Sequence, residues 1–141
     1  MTIELLRRLL LALLLALLLG GPGAAWAQGG SAVAGIEWSA EEVLGGSVPD
    51  GAQVTLLLDG EGRAAGRSGC NRFAGQVAIG DGTMRFGPLA GTRMACVPAL
   101  MDLEAKVFRA LESARLFVLD GSRSKLRLMD EAGATLMVLT R

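Results

Sequence analysis

LFVLDGSRSKLRLMDEAGATLMVL, residues 116–139, gives the clearest indication of the fold. It holds three short apolar runs, at 116–119, 126–129 and 135–139. The segments between them contain aspartate and glycine, which favour tight turns between neighbouring strands. Three strands joined by two such turns predict an antiparallel meander at the end of the chain.

Two further hairpins are predicted upstream of this meander. Residues 53–58 form a β-rich run, and 63–68 form the returning strand after a turn rich in aspartate, glutamate and glycine. Residues 76–79 and 83–86 flank a Gly-Asp-Gly turn in the same way. Gly-Pro-Leu at 87–89 is expected to break the strand pattern.

One helix is predicted, over residues 99–114. Its apolar residues recur at helical spacing, and they are Leu100, Val107, Phe108 and Leu111. Pro98 is tolerated at the start because the first helical amides have no intrahelical partner. The sequence therefore predicts an α+β domain, in which one main helix packs on a curved, mainly antiparallel and partly barrel-like sheet.

The N-terminus is typical of a secretory signal peptide. Arg7 and Arg8 precede an apolar run at 9–19, and the small-residue pattern Ala-Trp-Ala follows at 25–27. At about 1.5 Å per residue the run reaches only about half of a bilayer core. We therefore predict cleavage between Ala27 and Gln28.

Three regions follow from this leader: a signal peptide at 1–27, a flexible lead-in at 28–35 and one domain at 36–141. The exported part carries 12 basic and 13 acidic residues, so electrostatics give no support for nucleic-acid binding. No later apolar run approaches spanning length. We expect a periplasmic protein with no membrane anchor after cleavage.

The chain contains no histidine. This excludes histidine-based triads, cysteine–histidine dyads and imidazole zinc sites, and two thiols alone cannot complete a four-cysteine site. Acidic pairs occur at 41–42, 102/104 and 130–131, where we expect solvated surface positions on helix or turns. No phosphate-binding glycine loop is present. The sequence therefore predicts no metal, no cofactor and no enzymatic activity.

Cys70 and Cys96 both lie in the part predicted to be exported. An oxidising compartment favours a disulfide between them, and two cysteines allow only one intramolecular pairing. Two buried free thiols or a redox site are the alternatives.

Each cysteine sits in a distinctive segment, SGCNRFAG at 68–75 and TRMACVP at 92–98. With Glu104 in the helix and the strand pattern at 126–138, these segments resemble the META domain, the HslJ-like heat-shock family of bacterial envelope proteins. The resemblance covers the chain from Trp38 onward and implies a compact α+β fold without an established catalytic residue. Relatives of the HslJ type are often lipoproteins, whereas this leader lacks the lipid-accepting cysteine.

The two segments have two interpretations. As a binding surface, they would use Asn71, Arg72, Thr92 and Arg93, held beside a cross-linked loop. As a scaffold, asparagine would bond local amides, and each arginine would be tied to a backbone carbonyl or to a carboxylate such as Glu104.

Three functions remain open at this point. The first is a non-enzymatic module for envelope stress that binds an envelope protein or component. The second is an inhibitor of an envelope-attacking hydrolase such as lysozyme. The third is a thiol-dependent enzyme that uses Cys70 or Cys96.

Overall fold

A computed structural model describes residues 3, 4, 8 and 32–141 of the chain. The predicted cleavage point between Ala27 and Gln28 lies outside these residues, as does most of the predicted leader. In the described part, no helix is long and apolar enough to cross a membrane.

Between residues 32 and 141 the chain forms nine strands and one helix. They are β1 (Glu37–Val43), β2 (Gly46–Ser47), β3 (Val54–Leu58), β4 (Arg63–Ser68), β5 (Arg72–Ile79), β6 (Met84–Gly91), α1 (Pro98–Ser113), β7 (Leu116–Leu119), β8 (Lys125–Met129) and β9 (Thr135–Thr140). The predicted meander is confirmed as β7, β8 and β9. The predicted helix at 99–114 is confirmed, with both of its ends one residue earlier in the chain.

Eight strands form one antiparallel sheet in the order β6-β5-β4-β3-β1-β9-β8-β7, and the short β2 pairs with β1. Strand β1 lies between β3 and β9, and so joins the N-terminal hairpins to the C-terminal meander. The sheet curls into a half-barrel with the helix packed on it. The predicted α+β class, with a curved and mainly antiparallel sheet, is confirmed.

The two edges of the sheet approach each other at one end. The backbone N–H of Met84 donates to the Arg115 carbonyl at 2.9 Å, and that of Phe117 donates to the Gly82 carbonyl at 3.0 Å. Helix α1 connects these edge strands, since it follows β6 and precedes β7. The helix therefore packs where the half-barrel would otherwise expose its core.

The core consists of alternate residues of the strands and one face of the helix. Trp38 is fully buried, and its indole N–H donates to the Val33 carbonyl at 3.0 Å. The buried helical residues are Leu103, Val107, Ala110 and Leu111. Phe108, on the flank of that face, meets the ring of Phe73 edge to face at 5.9 Å.

Two expectations from the sequence are wrong. The Gly-Pro-Leu segment at 87–89 does not end the strand, because β6 continues to Gly91. The β5–β6 register shifts between Gly75 and Val77, so the proline lies at a bulge of an edge strand, where no ladder donor is needed. Glu41 and Glu42 lie in β1 instead of a helix or turn, and a register shift there leaves both exposed.

Candidate functional site

The predicted disulfide between Cys70 and Cys96 is confirmed. The two Cα atoms are 5.9 Å apart, and the bridge spans 26 residues of sequence. It joins the β4–β5 turn to the segment that leads into α1. The two distinctive segments of the sequence are therefore cross-linked in space.

Asn71 is the centre of the contacts beneath this bridge, with only 3% of its surface exposed. Its Oδ1 accepts from the Met94 backbone N–H at 2.7 Å, and its Nδ2 donates to the Met94 carbonyl at 3.3 Å. The amide thus pairs with one residue of the second segment as a strand neighbour would. This fixes the path of the chain between β6 and α1.

Glu104 reaches the same turn from the helix. Its carboxylate accepts from the Ser68 hydroxyl at 2.7 Å and from the Asn71 backbone N–H at 3.0 Å, both at Oε2. Its Oε1 accepts from Asn71 Nδ2 at 3.2 Å. No carboxylate or amide atom that is buried in the described part lacks a hydrogen-bond partner.

Thr92 completes the scaffold. Its Oγ1 donates to Asn71 Oδ1 at 3.0 Å and accepts from the Arg72 backbone N–H at 3.1 Å. Its own backbone N–H donates to the Arg72 carbonyl at 3.0 Å, which extends the pairing of β5 and β6 by one step. The polar groups of Asn71 and Thr92 are therefore engaged in internal contacts.

The structure brings the four candidate binding residues together, but it gives them two different environments. Asn71 is buried, and it forms the hydrogen-bonded base together with Thr92, which is itself exposed. Arg72 and Arg93 are exposed, and their side chains take no part in these hydrogen bonds. Within residues 32–141, neither guanidinium has a hydrogen bond or a carboxylate within 4.0 Å. Glu104, the carboxylate expected to hold them in a scaffold role, bonds to Ser68 and Asn71 instead.

The sequence interpretation missed a third arginine beside these two. Arg67 lies directly opposite Arg72 in the pairing of β4 and β5, and both are exposed. The signal was available in the sequence, since a tight turn at 69–70 between two strands makes these positions neighbours.

Metal ligation has no support in the described residues. No group of three or more cysteine, aspartate or glutamate side chains there could hold an ion. The one carboxylate of the site accepts three hydrogen bonds from protein groups.

Comparison with known proteins agrees with this architecture. The family model of the META domain matches residues 31–141. An NMR structure of a protein from Burkholderia xenovorans is 28% identical, with a TM-score of 0.65, and the match covers 86% of this chain and 92% of that one. A second NMR structure is 24% identical, with a TM-score of 0.63 and coverage of 79% and 92%, and shows the fold alone. No curated protein matches the sequence.

Proposed function

The chain belongs to the META domain family, and on that basis we propose that it is an exported, non-enzymatic module that binds a component of the bacterial envelope during stress. The observation that carries the proposal is the pair of outward arginines, Arg72 and Arg93. Among residues 32–141 neither guanidinium has a hydrogen-bond or ion-pair partner, and both lie beside a cross-linked, hydrogen-bonded base. Such a base lowers the entropy lost when a partner is bound.

The disulfide supports export. Bridges persist in the periplasm and outside the cell, whereas cytosolic reductants keep most thiols reduced. The bridge between Cys70 and Cys96 agrees with the signal peptide predicted for residues 1–27. The periplasm is therefore the proposed location.

The chemistry of the site supports binding without catalysis. Its two thiols are joined to each other, and the carboxylate of Glu104 is engaged by Ser68 and Asn71. With no histidine in the chain, the usual general base is missing. An arginine side chain is positively charged and presents a planar fork of donors, so these two residues suit recognition of anions.

The surface around the arginines also offers apolar contacts. Met94 is 58% exposed and Val97 is 62% exposed, and both lie on the segment that carries Arg93. Arginine and methionine are enriched in protein interfaces. A partner with acidic groups around a small apolar area would match this surface.

The test uses the protein purified after export, immobilised and exposed to an envelope extract. We expect Arg93→Ala to lose the captured component while its melting temperature stays unchanged, because the guanidinium makes no hydrogen bond or ion pair with any residue that the structure describes. Arg85→Ala, an exposed arginine on β6, is the matched control and should retain capture. Capture that survives Arg93→Ala, with a melting temperature lower by several degrees, would assign the residue to the scaffold and contradict the proposal.

The same preparation tests the other two functions. If the captured component is a peptidoglycan hydrolase that loses activity in the complex, the chain is an inhibitor. If iodoacetamide labels the protein isolated from the periplasm without reduction, a free thiol exists and a thiol-dependent enzyme becomes the better explanation.

A further inference from the structure

Two arginines face each other across the pairing of β4 and β5 at the end of the sheet that carries the disulfide. Arg67 and Arg72 are register partners, and both side chains point away from the core. Directly opposed residues of antiparallel strands have Cβ atoms about 4.5–5.5 Å apart, and like charges at this spacing destabilise the pair. The two positive charges therefore oppose folding at this position.

Nothing in the described part of the chain neutralises this pair. Neither arginine has a carboxylate oxygen within 4.0 Å, although three other ion pairs occur among the described residues. Arg67 is held by a neutral group, since its Nη1 donates to Gln53 Oε1 at 2.9 Å. Arg63, on the same strand, is by contrast bonded to Asp59 at 2.7 Å. Among the described residues, Arg63 is thus neutralised by carboxylates, whereas Arg67 and Arg72 are not.

Both uncompensated arginines line one cavity. Its volume is about 280 Å³, and its wall also includes Gln53, Cys70 and Met94. This is just below the range of about 300–1,000 Å³ that is usual for drug-sized ligands, so the cavity fits a small group. Cys70 and Asn71 belong to this wall, and the disulfide to Cys96 and the bond from the Met94 backbone N–H to Asn71 hold it in place.

We propose that Arg67 and Arg72 form a binding site for a phosphate group that can carry two negative charges, either inorganic phosphate or a terminal phosphate monoester. Such a group carries a charge of about −1.5 to −2 at neutral pH and offers three acceptor oxygens, so one group matches two guanidinium charges. The planar fork of arginine fits phosphate in a bidentate manner. A carboxylate would neutralise only one of the two charges.

The inference takes the location of the binding surface from the proposed function. It adds Arg67 to that surface and names phosphate as the class of ligand. The group is either free in solution or displayed on a lipid headgroup. The proposal concerns the terminal phosphate group that these two sources share. The experiment below separates them.

The binding test uses the protein purified after export. Inorganic phosphate is titrated by calorimetry against sodium chloride of matched ionic strength, and vesicles of phosphatidylcholine are compared with and without phosphatidic acid. We expect Arg67→Gln and Arg72→Gln each to weaken binding about tenfold or more, because each removes charge-assisted hydrogen bonds. Arg85→Gln, which removes an exposed arginine outside this cavity, should bind as the unaltered protein does.

A stability measurement without phosphate separates a binding role from a structural one. Because the opposed charges repel, Arg67→Gln and Arg72→Gln should leave the melting temperature unchanged or raise it. Added phosphate should raise the melting temperature of the unaltered protein and not that of these variants. A melting temperature lower by several degrees in both variants would overturn the proposal.

The remaining outcomes are assigned as follows. Binding of inorganic phosphate without binding to phosphatidic acid identifies the free anion, and the reverse identifies a headgroup. Binding of neither, or an equal loss in Arg85→Gln, overturns the inference. If phosphate binding fails but capture from the envelope extract still depends on Arg93, the inference is overturned and the proposed function survives. Phosphate binding without any capture supports the inference and contradicts the proposed function.

Discussion

Asn71 and Glu104 are joined by two hydrogen bonds across 33 residues of sequence. The Asn71 backbone N–H donates to Glu104 Oε2 at 3.0 Å, and the side-chain Nδ2 donates to Oε1 at 3.2 Å. The carboxylate thereby ties the β4–β5 turn to the middle of α1. It has no cationic group within 4.0 Å among the described residues, so these donors and the Ser68 hydroxyl hold it in place.

The first prediction is that Asn71→Asp strongly destabilises the fold. The substitution removes the Nδ2 donor and places a second carboxylate against Glu104 and the Met94 carbonyl. We expect the free energy of unfolding in urea to fall by about 2–3 kcal/mol, as for a buried polar group that loses its partner.

A double variant makes this prediction specific. Adding Glu104→Gln restores one donor towards the new carboxylate, so the pair Asn71→Asp and Glu104→Gln should recover part of the loss. Asp102→Asn, an exposed position on the same helix, should change nothing measurable. If Asn71→Asp unfolds at the same urea concentration as the unaltered protein, the contact between turn and helix does not stabilise the fold.

The second prediction concerns Gly66 in the middle of β4. A Cβ atom there would overlap the carbonyl oxygen of Thr55 and would come within 2.9 Å of the Phe73 ring. Since strand backbone and a buried ring cannot move away cheaply, Gly66→Ala should cost about 1–3 kcal/mol of stability. Gly60→Ala is the control, because a Cβ there has no atom within 4 Å. Equal stability of the two variants would mean that β3 and β4 can separate without penalty.

Much of the fold follows from local patterns. The meander at 116–140 is predictable because each apolar run ends at an Asp/Gly turn, and the helix is predictable because its core-facing residues recur every three or four positions. The place of Pro88 inside β6 is not predictable in this way, because tolerance of proline depends on edge position and on a bulge, which are properties of the sheet. The place of β1 between β3 and β9 depends on distant segments, and the sequence pattern does not specify it.

For the candidate site, the sequence predicts which residues take part but not which contacts they make. Residue types pointed to Asn71, Thr92 and the two arginines, but the division between base and surface depends on which atoms find partners. One partner of the Asn71 side chain is Met94, 23 residues away, which it contacts through backbone atoms that any residue carries. Side-chain chemistry in the sequence therefore gives no signal for that contact.

The third prediction is that the disulfide stabilises the fold without serving a reaction. A loop closed over 26 residues contributes about 3.5 kcal/mol in the chain-entropy model. We expect Cys70→Ser together with Cys96→Ser to lower the free energy of unfolding by about this amount. Reduction of the unaltered protein should reproduce the loss, and the double variant should then be insensitive to reductant. A reductant effect in the double variant would point to a cause other than this bridge.

The last prediction concerns the pH dependence of the β7–β8 turn. Asp120 accepts from the backbone N–H of Lys125 at 3.1 Å and from the hydroxyl of Ser122 at 2.8 Å, with further bonds from Ser124. These bonds, that of Lys125 first, lower the pKa of Asp120 below its ordinary value of 3.8. Because the folded pKa is depressed, the stabilisation is present above pH 3.8 and is lost as the pH falls through the folded pKa.

Asp120→Asn should therefore lower the melting temperature at neutral pH, since the amide loses the charge-assisted bonds while keeping the shape of the side chain. The difference from the unaltered protein should shrink as the pH falls below 3.8 and should vanish below the folded pKa, where the native carboxylate is also neutral. Asp81→Asn is the matched control, because this turn aspartate of the β5–β6 hairpin makes no side-chain hydrogen bond among the described residues. A melting difference for Asp120→Asn that stays constant from neutral to acidic pH would show that the charge of Asp120 does not stabilise the turn.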